Sequence, residues 1–167
     1  MPVNIHIGCG DDIKPGYINV DEFNPLADLQ IPIQSLEYPD NSVDRIEGYM
    51  VLEHLSLEDA RSFLQKAHRM LKPGGMLILE VPDLEKVSRL LLIFGGDPEY
   101  LEKGAFGLRG IFGEPKPNMT IGDLHKWGYT PSLAAQLVEE AGFPKCVIED
   151  GMSHCYPLRD MRIEAVK

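Results

Sequence analysis

Two glycines near the amino terminus, Gly8 and Gly10, directly follow a short apolar run and flank Cys9. Glycine has no Cβ, so a glycine pair at the end of a strand allows the backbone to approach a ligand closely. The acids Asp11 and Asp12 come immediately after the pair. Their carboxylates would repel a pyrophosphate. The loop therefore favours a ligand that carries positive charge, although a glycine pair alone also occurs in many tight turns.

A nicotinamide or flavin dinucleotide is the main competing ligand for such a loop. It would need a third glycine, where this chain has Ile13, and the amino terminus of a helix to hold its pyrophosphate. Only ten residues separate Gly10 from Asp21, too few for a full helix and its two connections. We therefore expect the first crossover helix to be reduced or missing and a dinucleotide to be disfavoured.

The elements that must position this loop can be predicted from hydrophobic periodicity. Apolar residues alternate in the first strand, and a continuous apolar run from Met76 to Val81 is typical of a strand covered on both faces. The last two strands are predicted to form a hairpin. The predicted strands span 3–7, 17–20, 26–33, 45–52, 76–81, 145–149 and 161–166.

Helices are predicted between these strands. Ser56 can cap a helix that runs to Leu71, with Asp59 at its third helical position and one apolar face. Thr130, Pro131 and Gly142 are typical of the start and end of a second helix. Residues 84–94 are also predicted to be helical. A strand, a helix and a strand at this spacing form a parallel unit, so we predict an open α/β sheet with ligands at the carboxyl ends of its strands.

A longer pattern makes the prediction more specific. The run P-D-N-S-V-D-R-I-E-G-Y-M-V-L-E-H-L is followed, after one helix, by R-M-L-K-P-G-G-M-L-I-L-E-V-P. Together with the glycine loop, it resembles the class I S-adenosylmethionine-dependent methyltransferases, strongly over residues 3–83 and more loosely beyond. The resemblance implies a three-layer Rossmann-like sheet, mostly parallel with a C-terminal antiparallel strand, and S-adenosylmethionine as cofactor. Among family members the chain looks most like small bacterial or phage enzymes of surface-polysaccharide pathways.

The resemblance also implies which residues bind the cofactor. Asp21 ends the second strand, where the family's acid accepts hydrogen bonds from both ribose hydroxyls, and Asp28 is placed to accept from the adenine amino group. Met50 and Val51 are expected to flank the cofactor, with plain strand packing as the alternative. Cys9 is a small residue between two glycines rather than a nucleophile. The remaining cofactor contacts are expected from the glycine loop, Ile7, Gly8, Cys9 and Gly10.

Two histidines are the candidate catalytic residues. His54 follows the fourth strand and His125 precedes the last helix, so both are expected near the methyl group of the cofactor. Histidine can accept a proton near neutral pH, which is needed if the acceptor is a hydroxyl. The alternatives are that Glu53 and His54 form a structural turn and that His125 only hydrogen-bonds its loop.

Two departures from the larger family members leave other functions open. His6 and Asp12 occupy positions where those members have an acid and a glycine, and the first crossover is short. A catalytically silent cofactor-binding module that acts through a protein partner is one alternative. A nucleotide-sugar-binding enzyme on the same sheet is another.

Composition limits the remaining possibilities. A chain of 167 residues suits a single domain, in which we expect 84–129 to be an inserted substrate cover. The 26 acidic and 16 basic residues give a formal charge of −10, which disfavours a nucleic-acid partner. Three scattered cysteines indicate neither a disulfide framework nor a metal site. We find no membrane span and expect a cytoplasmic enzyme that methylates a small-molecule or glycan-precursor hydroxyl. A homodimer is one assembly that the sequence leaves open.

Overall fold

The computed structural model describes residues 2–94, 106–113, 123–153 and 157–167, and its centre is a six-stranded sheet in the order β2-β1-β3-β4-β6-β5. The first four strands pair in parallel, whereas β6 is antiparallel to both β4 and β5. This arrangement confirms the predicted α/β class and the C-terminal hairpin. The strands are β1 Asn4–Ile7, β2 Ile18–Val20, β3 Val43–Tyr49, β4 Leu71–Pro82, β5 Cys146–Asp150 and β6 Asp160–Val166.

Two capped helices cover one face of the sheet. Helix α1, Leu57–Met70, begins after Ser56, whose hydroxyl accepts a hydrogen bond from the main-chain N–H of Asp59 at 3.1 Å. Helix α4, Pro131–Glu140, begins after Thr130, whose hydroxyl accepts from the N–H of Leu133 at 3.2 Å. Apolar side chains of both helices form one core with those of the sheet, including Ile5, Ile7, Ile46, Phe63, Leu77, Leu79, Leu137 and Ile163.

No helix lies between β1 and β2, as predicted from the ten-residue gap. Helix α2, Leu84–Phe94, begins two residues after β4 and packs against α3, Phe106–Phe112. The sequence also predicts a partly helical stretch at 100–112, of which residues 100–105 lie outside the described residues. Among the helices that the structure describes, none is long and apolar enough to cross a membrane.

The opposite face of the sheet carries buried polar side chains. Glu47 on β3 forms ion pairs with Lys14 and, at 2.7 Å, with Arg45, and Glu80 on β4 pairs with Arg162 at 2.9 Å. Burial raises the pKa of Glu47, but the hydrogen bonds from the two cations outweigh it and leave that pKa below its usual value. The polar face contains His6, Asn19, Glu47, Glu80 and Arg162.

The prediction of a third strand at 26–33 is wrong. Only Leu29 forms a parallel bridge, to Val20, and Ile33–Ser35 is a 3₁₀ turn. The reason is local: the carboxylate of Asp28 accepts from the edge N–H of Asn19 at 2.8 Å, where another strand would have to place a carbonyl. Pro32 also lacks the N–H that a strand pairing would use.

The predicted fourth strand, 45–52, ends earlier than expected. Strand β3 stops at Tyr49 because Met50 adopts a left-handed conformation, with φ of 53°, and Leu52–His54 forms a 3₁₀ turn. Met50 and Val51 therefore lie just beyond the strand rather than at its end. This bend carries the chain from the sheet edge directly into Glu53 and His54.

Candidate active site

The glycine loop lies at the carboxyl end of β1 and has the conformation that glycine allows. Gly8 and Gly10 have φ of +59° and +47°, a region that other residues adopt only with strain. A Cβ built on Gly8 would overlap the side chain of Val51, 2.7 Å from its Cβ, whereas a Cβ on Gly10 would meet nothing within 4 Å. Gly8 is thus required by packing, and Gly10 leaves backbone accessible to a ligand.

Asp21 joins this loop to the end of β2. Its carboxylate accepts hydrogen bonds from the main-chain N–H of Gly10 at 2.9 Å, Phe23 at 2.8 Å and Asn24 at 2.9 Å. The Asn24 side chain in turn donates to the carbonyl of Gly10. A carboxylate offers about four lone-pair sites, so the partly exposed Asp21 can still accept from a ligand hydroxyl. This geometry fits a ribose-binding acid.

Asp28 is not brought into this cluster of hydrogen bonds. It accepts from both the backbone and the side-chain amide of Asn19, at 2.8 and 3.1 Å. These two hydrogen bonds lower the pKa of the Asp28 carboxyl. The observed contacts are those of a side chain that closes the edge of β2, and the adenine contact stays a prediction.

The other cofactor candidates surround the glycine loop. Ile7 and Cys9 are buried, and burial, reinforced by the nearby Asp21, raises the pKa of the Cys9 thiol to about 11. That pKa keeps the thiol protonated and unsuited to nucleophilic attack. Val51 packs below Gly8, while Met50 donates its N–H to the carbonyl of Glu80 at 2.9 Å.

His54 and His125, far apart in sequence, are brought together next to the carboxyl end of β3. Their rings meet edge to face with centroids 4.9 Å apart. The Nδ1 atom of His54 lies 3.2 Å from the carbonyl of Leu124, and Nδ1 of His125 lies 3.1 Å from the carbonyl of Gly110. A carbonyl can only accept, so each Nδ1 donates, and in the neutral rings each Nε2 carries the lone pair.

Glu53 completes the group and was not identified from the sequence as a functional residue. Its side chain is 1% exposed, and its Oε1 lies 3.9 Å from Nε2 of His125. Neither carboxyl oxygen has a hydrogen-bond partner in the part of the chain that the structure describes. Burial raises the pKa of Glu53 to about 8 and lowers the pKa of His125 to about 4. The signal in the sequence that could have identified Glu53 is an acid placed among the apolar residues of V-L-E-H-L.

The turn that carries Glu53 is fixed by the segment around His125. The carbonyl of Glu53 accepts from the N–H groups of Lys126 at 2.8 Å and Trp127 at 3.2 Å. The Tyr129 hydroxyl donates to the carbonyl of Leu52 at 3.2 Å. Tyr129 is therefore a core residue, whereas Trp127 is exposed. The segments that carry His54 and His125 are thus hydrogen-bonded to each other through their main chains.

Comparison with known proteins agrees with this geometry. Residues 6–79 match the family model described as a methyltransferase domain. By sequence, no curated protein matches the chain. These matched residues include the glycine loop, Asp21 and the turn with Glu53 and His54.

Three solved structures share the fold. A Thermotoga maritima S-adenosylmethionine-dependent methyltransferase, described as a possible histamine N-methyltransferase, is 18% identical, with a TM-score of 0.62 over 100% of this chain and 83% of that one. An Archaeoglobus fulgidus S-adenosylmethionine-dependent methyltransferase is 17% identical, with a TM-score of 0.60 over 99% and 86%. A Burkholderia thailandensis 1,6-didemethyltoxoflavin-N1-methyltransferase, solved with S-adenosylhomocysteine, is 14% identical, with a TM-score of 0.63 over 99% and 71%.

At these identities the solved structures show the fold alone, and the family match adds the methyltransferase domain. The positive-φ glycines and the Asp21 carboxylate fit the cofactor that the family uses. Residues 6–79 of the chain thus match a methyltransferase domain, and the whole chain has the fold of solved S-adenosylmethionine-dependent methyltransferases.

Proposed function

We propose that this chain is an S-adenosylmethionine-dependent methyltransferase that acts on a hydroxyl group of a small molecule or a carbohydrate-linked precursor. The observation that carries the proposal is the pair of imidazoles, His54 and His125, next to the turn that follows β3. A hydroxyl must lose its proton when it is methylated, so a nearby base is useful for this acceptor and unnecessary for a neutral thioether or similar group. The acidic composition supports a small substrate over a nucleic acid.

The cofactor-binding role is assigned to the glycine loop and Asp21. Gly8 and Gly10 would let the backbone contact the cofactor, and Asp21 would accept from its ribose hydroxyls. The bound cofactor supplies the methyl group. Orientation of the acceptor relative to that group can lower the barrier by up to roughly 7–11 kcal/mol. Residues 84–129 would form the substrate cover that provides this orientation, with the exposed Trp127 as one contact.

Proton removal is assigned to the histidines on the basis of their tautomer. Because the carbonyls of Leu124 and Gly110 hold Nδ1–H in each ring, the Nε2 lone pair can accept a proton from the acceptor hydroxyl. A positioned base contributes about 10²–10⁴-fold to a rate. The pKa of about 4 keeps the His125 ring neutral at pH 7 but makes it a weak base, so we expect a contribution at the low end of this range. The histidine closer to the acceptor would act as the base, and the other would pack against it.

The test combines binding with turnover. Titration calorimetry should detect binding of S-adenosylmethionine and S-adenosylhomocysteine, and labelled methyl transfer should be found with hydroxyl-bearing sugars or phenols but not with matched amines. Transfer to amines alone would contradict the proposed acceptor. Binding without transfer to any acceptor class would instead favour the silent cofactor-binding module. If a nucleotide sugar competes for the binding site and S-adenosylhomocysteine does not, the result would favour the nucleotide-sugar-binding enzyme.

A further inference from the structure

Three potential metal ligands meet at the carboxyl end of β3. One ligand atom each from Glu53, His54 and His125 lies within 4.8 Å of the other two. Glu53 is almost fully buried, and its Oε1 is 3.9 Å from Nε2 of His125. Two imidazoles and one carboxylate are a ligand set that binds first-row transition metals in proteins.

The cluster contains a buried carboxylate without a matching donor. Both histidines use Nδ1–H to donate to main-chain carbonyls, so their Nε2 atoms carry lone pairs. Neither oxygen of Glu53 finds a hydrogen-bond donor among the residues described. Buried polar atoms are nearly always paired, because leaving them unpaired costs free energy. A cation at this place would pair with the Glu53 carboxylate and could take the two imidazoles as further ligands.

A proton cannot satisfy the cluster equally well. Protonated Glu53 could donate only one hydrogen bond, so it could pair with one of the two imidazoles at most. The charge of Arg159 acts on Glu53, and the Nε and Nη2 atoms of Arg159 pair with Asp160 at 2.6 and 2.8 Å.

We propose that Glu53, His54 and His125 form a binding site for a divalent transition-metal ion such as Zn²⁺. The hydrogen bonds from Nδ1 to the carbonyls of Gly110 and Leu124 are those that usually orient a metal-binding histidine. Three protein ligands leave a coordination position open, as in metal sites that take part in catalysis. Mg²⁺ is disfavoured because it prefers oxygen ligands.

The backbone around the ligands is already fixed. Lys126 and Trp127 donate to the carbonyl of Glu53, which ties the turn that carries Glu53 and His54 to the segment that carries His125. Ligand atoms at 2.0–2.2 Å from a tetrahedral metal lie roughly 3.4 Å apart. The 3.9 Å between Glu53 and His125, and the separations of at most 4.8 Å within the cluster, would therefore shorten by about 0.5 to 1.4 Å when a metal binds.

The site is two residues beyond Val51, which packs against Gly8 of the cofactor loop. A metal there would occupy the Nε2 lone pairs, so it would replace the histidines as the group that favours ionisation of the acceptor hydroxyl. That consequence rests on the proposed function. Metal binding itself does not, because it depends only on the three side chains.

The experiment uses the full chain after treatment with a chelator. Titration with Co²⁺ should give visible absorption bands at one equivalent, and calorimetry with Zn²⁺ should give the same stoichiometry. Glu53→Gln and His125→Gln should each weaken binding by at least the roughly 10–100-fold that changes outside the ligand shell cause. His68→Gln is the matched control, because His68 packs against Phe143 away from the site and its loss should leave binding unchanged.

Absence of stoichiometric binding would overturn the proposal, and so would binding that survives both ligand substitutions or is lost equally in His68→Gln. Thermal unfolding and S-adenosylmethionine titration of each variant show that it is folded. The proposed function is tested separately: hydroxyl methylation by a protein that binds no Co²⁺ would reject the metal site alone. Co²⁺ binding by a protein that methylates only amines would reject the proposed acceptor alone.

Discussion

The main-chain N–H of Gly10 donates to the carboxylate of Asp21 at 2.9 Å, so the loop after β1 and the acid after β2 form one unit. This hydrogen bond spans the two strands whose ends would receive the adenosine part of the cofactor. It positions the Asp21 carboxylate before any ligand binds. Preorganisation of this kind increases affinity because less ordering is needed on binding.

Asp21→Ala should therefore weaken S-adenosylmethionine binding. A hydrogen bond to a charged group contributes about 1.5–3 kcal/mol, which corresponds to roughly a 10- to 150-fold rise in Kd at about 1.4 kcal/mol per factor of ten. Calorimetry measures this change, and Glu22→Ala, which removes the adjacent exposed acid, is the control. Equal affinities of wild type and Asp21→Ala would show that the ribose lies elsewhere.

The two loop glycines should differ in what they contribute to stability. Gly8→Ala introduces both an unfavourable positive φ, costing about 1–2 kcal/mol, and an overlap with Val51 that costs a further 1–3 kcal/mol or so. Gly10→Ala has the first cost alone, because its Cβ would meet nothing within 4 Å. Urea denaturation should rank Gly8→Ala as the less stable variant.

Val51→Ala provides the control for this ranking. In the Gly8→Ala background it removes the overlapping methyl groups, so the double variant should recover part of the free energy of unfolding. Additive losses from the two substitutions would mean that the contact between Gly8 and Val51 is not the source of the difference.

Local signals in the sequence predicted most of the sheet and the first helix. Ser56 and Asp59 fix the start of α1 within a few residues, and the ten-residue gap before Asp21 correctly excluded a first crossover helix. The third strand was predicted wrongly because its apolar residues gave no sign that the Asp28 side chain would take the edge N–H of Asn19. A side chain that replaces a strand's carbonyl leaves no periodic pattern.

The site was only partly predictable for a similar reason. The glycine loop and Asp21 lie close together in sequence and could be interpreted together. The contact between His54 and His125, in contrast, depends on how the segment after Asp123 folds back onto the turn after β3. The sequence therefore indicated each histidine separately and did not indicate that Glu53 faces them both.

Asp28→Ala should separate a structural role from a cofactor contact. Loss of the carboxylate removes two hydrogen bonds to Asn19 at the edge of β2, so the melting temperature should fall. If Asp28 also accepts from adenine, the affinity for S-adenosylmethionine should fall as well. The affinity for sinefungin, which carries the same adenine, should then fall to the same extent. Unchanged affinity at reduced stability would assign Asp28 to the strand edge alone.

The buried His6 should make the stability of the fold depend on pH. Its side chain is 1% exposed, packs against the rings of Tyr17 and Tyr49, and has an Nδ1 without a hydrogen-bond partner among the described residues. Burial, followed by the positive charge of Lys14, lowers the pKa of His6 below 6.5, while Asp12 and Glu47 oppose this only in part.

The sign of the effect follows from the proton count. Between the unfolded pKa of about 6.5 and the lower folded value, the unfolded chain binds a proton that the folded chain does not, so stability rises with pH. The contribution is complete above about pH 6.5 and is lost as the pH falls below it, with a slope of at most about 1.4 kcal/mol per pH unit. His6→Gln should flatten the dependence measured by urea denaturation between pH 7.5 and 5. His68→Gln is the comparison: burial lowers the pKa of His68 too, but this side chain is less buried, so its loss should flatten the pH dependence less. A wild-type slope in His6→Gln would show that other groups control the acid sensitivity.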